Sequence, residues 1–118
     1  MPRLWNETKG TVVIEQLRVA DNIWSRFWGL LGRRSLSEGH GLLLQPSSSI
    51  HTAFMRFTID AVFLDKRNRV VKVVPHMKPF RVAASLGSAH SVLELSDGAA
   101  AQAQLERGDQ LVMAERRV

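Results

Sequence analysis

One segment in the middle of the chain brings together residue types suited to acid–base chemistry and anion binding. His51, Arg56 and Asp60 fall within a stretch of ten residues. In this pattern His51 could act as a general base, Arg56 could hold an anion through its planar fork, and Asp60 could orient one of them. The same residues also suit a structural role, in which a core histidine bonds to backbone and Asp60 fixes a turn or pairs with Arg56. The structural role is favoured because no nucleophile or second acid stands at a diagnostic spacing.

Two further candidates are Arg26, on a predicted helix, and Glu94, on a predicted strand. Arg33 follows Arg26 by seven residues and returns to nearly the same helix face. Both guanidinium groups could therefore converge on one anion, or on an acidic residue such as Glu94. Surface arginines, or a buried structural ion pair between Arg26 and Glu94, would give the same pattern. The candidate ligand-binding residues are thus His51, Arg56, Asp60, Arg26 and Glu94.

Several kinds of site are excluded or disfavoured by composition and spacing. The chain has no cysteine, which removes disulfides, thiolate metal sites and cysteine nucleophiles. Its four histidines are separated by 11, 25 and 14 residues, none of which is a short zinc-ligand spacing, so no metal is expected. The serines at positions 47–49 lack the glycine-flanked turn of a hydrolase nucleophile, and no phosphate-binding or dinucleotide fingerprint is present. No cofactor is therefore expected.

The charge of the chain is basic but dispersed. Sixteen lysines and arginines oppose 11 acidic residues, giving a formal net charge of +5, and the basic residues do not form one block. The aromatic residues at positions 24, 27 and 28 fall on an apolar helix face, which argues against a stacking platform and against nucleic acid as a specific partner. No stretch approaches the roughly 20 apolar residues of a membrane span, and the N-terminus lacks a secretory apolar run, so cytoplasmic residence is expected.

The elements that must position the candidate residues are mainly short strands. Runs rich in apolar and β-branched residues predict strands at residues 12–15, 17–19, 42–45, 50–54, 91–95 and 110–114. Residues 59–64 and 70–74 predict a hairpin, with Asn68 in the left-handed conformation at its turn. The prolines at positions 75 and 79 are expected to take their segment out of the sheet, and residues 82–91 predict a connection with little regular structure.

Two helices complete the prediction. Apolar residues with helical spacing, capped by Asp21 and closed by Gly32, predict a helix near residues 22–31. Asp97 and Gly108 similarly bracket a short helix near residues 98–106. The fold class expected is mainly β, a sandwich- or barrel-like antiparallel sheet with these two helices. The length of 118 residues predicts a single domain over residues 1–118.

The order of short motifs along the chain resembles a known family. These motifs are Arg26, Gly29, Leu30, Leu31, Gly32 and Arg33; Gly39, Gly41 and Leu42; Ile50, His51, Thr52, Met55 and Arg56; Ile59, Asp60, Phe63, Leu64 and Asp65; and Leu93, Glu94, Leu95, Gly98, Gly108 and Asp109. They are similar, over about residues 11–113, to the prokaryotic family known as domain of unknown function 192. The resemblance implies a sandwich-like β fold with a helix packed against it, and no established reaction. Many members of the family resemble exported proteins, whereas this chain begins almost directly at the domain.

Three functions stay open on these grounds. The favoured one is a binding module for a small anionic or polar ligand, because polar groups gather without a recognisable catalytic set. The second is an enzyme that uses His51 and Asp60 in acid–base chemistry. The third is an accessory or scaffold protein that acts through a protein partner of unknown identity.

Overall fold

Ten short β-strands and one short α-helix form the secondary structure of the residues that the computed structural model describes, which are 2–20, 39–51 and 57–114. In chain order the elements are β1 (Arg3–Asn6), β2 (Thr11–Ile14), β3 (Gln16–Ala20), β4 (His40–Leu44), β5 (Ser49–His51), β6 (Ile59–Leu64), β7 (Val70–Met77), β8 (Val82–Ala84), β9 (Ser91–Ser96), α1 (Ala99–Gln102) and β10 (Leu111–Ala114). The prediction of a mainly β protein is confirmed.

The strands form three sheets. The largest has five strands in the order β3-β4-β9-β6-β7, a second has three in the order β10-β1-β2, and β5 pairs with β8 alone. Neighbouring strands run antiparallel, as expected, except for β3 and β4, which pair in parallel. The two central strands, β6 and β9, consist almost wholly of buried residues because both faces of the large sheet are covered.

The three-stranded sheet packs on one face of the five-stranded sheet. Their shared core contains Leu4, Ile14 and Leu111 from the smaller sheet, and Leu17, Leu43, Val62, Leu64, Leu93 and Leu95 from the larger. The approach is closest at Gly41, where an added Cβ would overlap Cδ1 of Ile14 and come within 3.2 Å of Cδ2 of Leu95. A larger residue there would require the side chain of the buried Ile14 to move. The resulting layered arrangement is the sandwich-like architecture that the strand pattern predicts.

The predicted hairpin of β6 and β7 is confirmed together with its turn. Asn68 has a φ of 62°, in the left-handed region that asparagine tolerates. Oδ1 of Asp65 accepts hydrogen bonds from the amides of Arg67 and Arg69, at 2.8 Å and 3.0 Å. These local bonds fix the chain reversal, which in turn fixes the register of the two strands.

The prediction that residues 75–79 leave the sheet is wrong at its start, because β7 continues through Pro75 to Met77. The proline is tolerated because β7 is an edge strand, whose outward N–H groups have no ladder partner to lose. Pro75 and His76 also form a bulge, since Ile59 pairs with Met77 while Ala61 pairs with Val74. His76 takes a φ of 52° within this bulge. Two strands were not predicted at all, β1 and β8.

The helices differ from expectation in extent and capping. The predicted helix at residues 22–31 lies outside the described residues. The second helix is present as α1 but covers only Ala99–Gln102, less than the predicted 98–106. Asp97 does not cap it, because the N-cap is Gly98, with a φ of 88° and no side-chain hydrogen bond. No helix in the described part of the chain is both long and apolar enough to cross a bilayer.

Candidate functional site

The five candidate residues are only partly within the described structure. Arg26 and Arg56 lie outside it. The backbone of His51 ends β5, where it pairs with Val82 of β8, and its side chain is outside the described part. Asp60 and Glu94 are described in full. Their surroundings therefore define what the candidate site can do.

Asp60 is fully buried and holds two backbone segments together. Its Oδ1 accepts a hydrogen bond from the amide of His76, in the β7 bulge, at 2.9 Å. Its Oδ2 accepts one from the amide of Ala100, in the first turn of α1, also at 2.9 Å. This carboxylate therefore supplies the helix cap that Asp97 was expected to provide. A carboxylate with both oxygens already accepting backbone bonds suits a positioning role better than proton transfer.

The histidine nearest to Asp60 in the described structure is His76. Nδ1 of His76 lies 2.5 Å from Oδ1 of Asp97, and these two side chains are 65% and 47% exposed. Ligand atoms of Asp60, His76 and Asp97 all lie within 4.8 Å of one another. Sequence reasoning missed this group because its members are 16 and 21 residues apart and come together only through the bulge. A proline followed by a histidine inside an apolar strand pattern was the available signal for that bulge.

Glu94 lies in the middle of the five-stranded sheet, on β9. It faces Leu42 of β4 on one side and Ala61 of β6 on the other. The residue is only 4% exposed. Burial raises the pKa of its carboxyl from 4.5 to about 8. Among the described residues, Oε2 of Glu94 has no hydrogen-bond partner.

Asp60 and Glu94 are not brought together. Asp60 pairs across the ladder with Leu95, whereas Glu94 pairs with Ala61. Successive residues of a strand point to opposite faces, so the two side chains lie on opposite sides of the same sheet. The Asp60 side faces the core shared with the three-stranded sheet. The Glu94 side faces a second apolar cluster that consists of Ala20, Leu42, Leu44, Ile59, Ala61, Phe63, Met77 and Val92.

The environment of Glu94 gives its carboxyl an unusual chemistry. With a pKa of about 8 it is mostly protonated at neutral pH, so it can donate a hydrogen bond as well as accept one. Arg18 is in the same cross-strand row, because it pairs with Leu42 on the edge strand β3, and it is exposed. Two strand spacings, about 10 Å, separate the Cα positions of Arg18 and Glu94. Among the described residues, this sheet face therefore carries one neutral acid among apolar side chains, with Arg18 at one edge and Lys72, whose Nζ lies 5.8 Å from the ring centre of Phe63, at the other.

A third polar cluster has a structural role. Oδ2 of Asp109 accepts hydrogen bonds from the buried amide of Asn6, at 2.9 Å, and from the backbone of Glu106, at 3.1 Å. Nζ of Lys9 lies 3.2 Å from the same oxygen and also contacts the carbonyl of Gln104. Burial alone would raise the pKa of Asp109, but these bonds and the lysine charge outweigh it and lower the pKa. The cluster joins the β1–β2 turn to the segment that precedes β10.

The sequence has relatives among known proteins. A UPF0127 protein of Pyrococcus furiosus is 33% identical over 109 residues, which cover 90% of this chain and 93% of that protein. A UPF0127 protein of Thermococcus sibiricus is 30% identical over 112 residues, covering 92% of this chain and 72% of that protein. Both relatives come from archaea.

The fold is also similar to a solved structure. A protein of unknown function from Novosphingobium aromaticivorans superposes with a TM-score of 0.81, covering 95% of this chain and 84% of that chain at 19% identity. This likeness concerns the fold alone. The sequence profile of the family DUF192, described as "Uncharacterized ACR", matches residues 4–113, slightly more than the span of 11–113 predicted from motifs. The chain belongs to the DUF192 family.

Proposed function

We propose that the protein is a cytoplasmic binding module for a small polar or anionic ligand, and that Glu94 is the buried group that contacts this ligand. The observation that carries the proposal is the Glu94 carboxyl, which is 4% exposed and whose Oε2 has no hydrogen-bond partner among the described residues. Unpaired buried polar atoms cost about 1–3 kcal/mol. Such a cost is commonly retained where a group serves a ligand rather than the fold.

The surroundings of Glu94 support a ligand of this class. Small-molecule sites are mostly apolar and contain a few polar groups that fix orientation. Leu42 and Ala61 flank Glu94 on the neighbouring strands and supply the apolar part. A protonated carboxyl does not repel an anion and can donate a hydrogen bond to a carboxylate or carbonyl oxygen. Arg18, at the edge of the same face, adds a positive charge that favours anions.

The other two functions have less support. For an enzyme, Asp60 would have to assist His51, yet both oxygens of Asp60 already accept backbone hydrogen bonds. The contributions of His51, Arg56 and Arg26 stay predictions, since their side chains lie outside the described structure. If no small ligand binds, the remaining function is that of an accessory protein that acts through a protein partner.

The test is a thermal-shift screen of the protein against carboxylates, phosphates, nucleotides and sugars at pH 6.5. A compound that binds only the folded state raises the melting temperature by mass action. Glu94→Leu keeps a side chain of similar size but removes its hydrogen-bonding group, whereas glutamine would imitate the protonated carboxyl. Glu7→Leu is the matched control, because Glu7 is exposed and forms no ion pair in the described structure.

We expect at least one compound class to stabilise the wild type and the Glu7→Leu variant, with a smaller effect on Glu94→Leu. We also expect affinity in the wild type to fall as the pH rises through about 8, because the carboxyl then loses its proton. Equal stabilisation of both variants would remove Glu94 from the binding site. Stabilisation by no compound would overturn the proposal and favour a protein partner.

A further inference from the structure

We propose that Asp60, His76 and Asp97 form a binding site for a divalent transition-metal ion, at the bulged edge of the five-stranded sheet. This site is independent of the ligand proposed at Glu94, which lies on the other face of the sheet. The histidine spacing predicted no metal site. That prediction considered only residues close in sequence, whereas the three residues of this site are distant in sequence.

The ligand set and its geometry suit a metal ion. One imidazole nitrogen and oxygens from two carboxylates lie within 4.8 Å of one another, so a point between the three atoms is no more than about 2.8 Å from each. Bonds from such a metal ion to nitrogen or oxygen are about 2.0–2.2 Å. Coordination therefore needs shifts of about 1 Å, and Nδ1 of His76 and Oδ1 of Asp97, which are 2.5 Å apart, must separate to about 3 Å to share one ion. His76 and Asp97 have this freedom, because their side chains are 65% and 47% exposed.

The charge balance around Asp60 also favours a cation. This residue is fully buried, and in the described part of the chain no lysine or arginine forms an ion pair with it or with Asp97. Buried carboxylates in proteins are normally paired with a cation or coordinate a metal. The two carboxylates together outweigh the single charge that His76 can carry. A divalent ion would balance this excess among the described side chains.

Asp60, the buried ligand, is already held in one orientation. Each oxygen of Asp60 accepts one backbone hydrogen bond, from His76 or from Ala100, and each carboxylate oxygen has a further lone pair. Hydrogen bonds to ligating carboxylates are a regular feature of metal sites, where they hold the ligand in place. The imidazole ligand favours Zn²⁺, and the two carboxylates also suit Mn²⁺, whereas Mg²⁺ and Ca²⁺ prefer oxygen ligands alone. The exposure of two ligands leaves room for water to complete the coordination shell.

The test is calorimetric titration of the metal-free protein with ZnCl₂, MnCl₂ and MgCl₂ at pH 7.5. His76→Gln and Asp97→Asn remove one ligand each at exposed positions, and circular dichroism establishes that both variants are folded. His90→Gln is the matched control, since His90 is also exposed but lies outside the cluster. Asp60→Asn is left out of this comparison because its carboxylate supports the backbone.

We expect one equivalent of Zn²⁺ or Mn²⁺ to bind the wild type and the His90→Gln variant, with binding at least ten-fold weaker in His76→Gln and in Asp97→Asn. Magnesium should bind much more weakly. In the ¹H–¹⁵N spectrum, the metal should shift the amide signals of His76 and Ala100, which donate to the carboxylate of Asp60. Absence of binding to the wild type, or equal affinity in all four proteins, would overturn the site.

Discussion

Replacement of Glu94 by glutamine should change the pH dependence of stability, so that the variant gains on the wild type as the pH rises from 5 to 8. In the folded protein the Glu94 carboxyl has a pKa of about 8, against 4.5 for an exposed glutamate. The unfolded chain therefore releases this proton at a lower pH than the folded chain does. Between these two pKa values, rising pH favours the unfolded state of the wild type, whereas glutamine has no proton to release.

The magnitude follows from the two pKa values, since one pKa unit corresponds to about 1.4 kcal/mol. The cost of keeping Glu94 protonated in the fold is about 1 kcal/mol at pH 5, about 3 kcal/mol at pH 7 and about 4 kcal/mol at pH 8. Glutamine also brings an amide into the apolar cluster, which adds an offset that does not depend on pH. The diagnostic quantity is therefore the growth of the variant's advantage, by about 3 kcal/mol from pH 5 to pH 8.

Urea unfolding followed by circular dichroism at pH 5, 6, 7 and 8 measures this quantity for the wild type, Glu94→Gln and the control Glu7→Gln. The free energy of unfolding of the control should vary with pH as that of the wild type does, because Glu7 is exposed. If the free energy of unfolding of Glu94→Gln also varies with pH as that of the wild type does, burial does not keep the Glu94 carboxyl protonated. The reasoning on its chemistry would then be refuted, and with it the expected loss of ligand affinity above pH 8.

Three other substitutions test the structural groups around the site by urea unfolding. Asp109→Asn should lower stability by about 1–3 kcal/mol at pH 7, because it weakens the contact with Lys9, and the deficit should shrink as the pH falls below 3.8 and through the lower pKa of the folded wild-type residue. A deficit that persists unchanged in acid would contradict this origin. Gly41→Ala should destabilise by about 1–3 kcal/mol through overlap with Ile14, and a neutral effect would mean that the sheets can separate locally. Asp60→Asn should lower the free energy of unfolding by about 1–3 kcal/mol, because the side-chain amide has one acceptor oxygen for the two backbone donors, His76 and Ala100. An unchanged urea midpoint would show that water replaces the lost hydrogen bond.

The elements that the sequence predicted best are those governed by local chemistry. The β6–β7 hairpin follows from two β-branched runs and an asparagine that accepts a positive φ, and all of this is local. The burial of Glu94 also had a sequence signal, because it is a single acid within the apolar run 92–95 on a central strand. β1 and β8 were not predicted because each has only three or four residues, which is too short to show a clear alternation of apolar and polar side chains.

The candidate site was harder to predict because it depends on register between distant segments. The sequence-based prediction grouped Asp60 with Glu94, but the pairing of β6 with β9 places their side chains on opposite faces of the sheet. A shift of this pairing by one residue would place both side chains on the same face. The prediction also assigned Asp97 to the cap of α1. The cap comes instead from a strand 40 residues earlier in the chain, which no local pattern can indicate.

The carboxylate of Asp60 has a consequence for local opening of the fold. Its two oxygens bond the amides of His76 and Ala100, which belong to segments that are not neighbours in sequence. When either segment moves away, the carboxylate loses one of the donors that stabilise its buried charge, which makes release of the other easier. The two amides should therefore exchange with deuterium at similar rates and through one shared opening event. The bulge of β7 and the first turn of α1 would then open together as a single cooperative unit, because the side chain of Asp60 joins them.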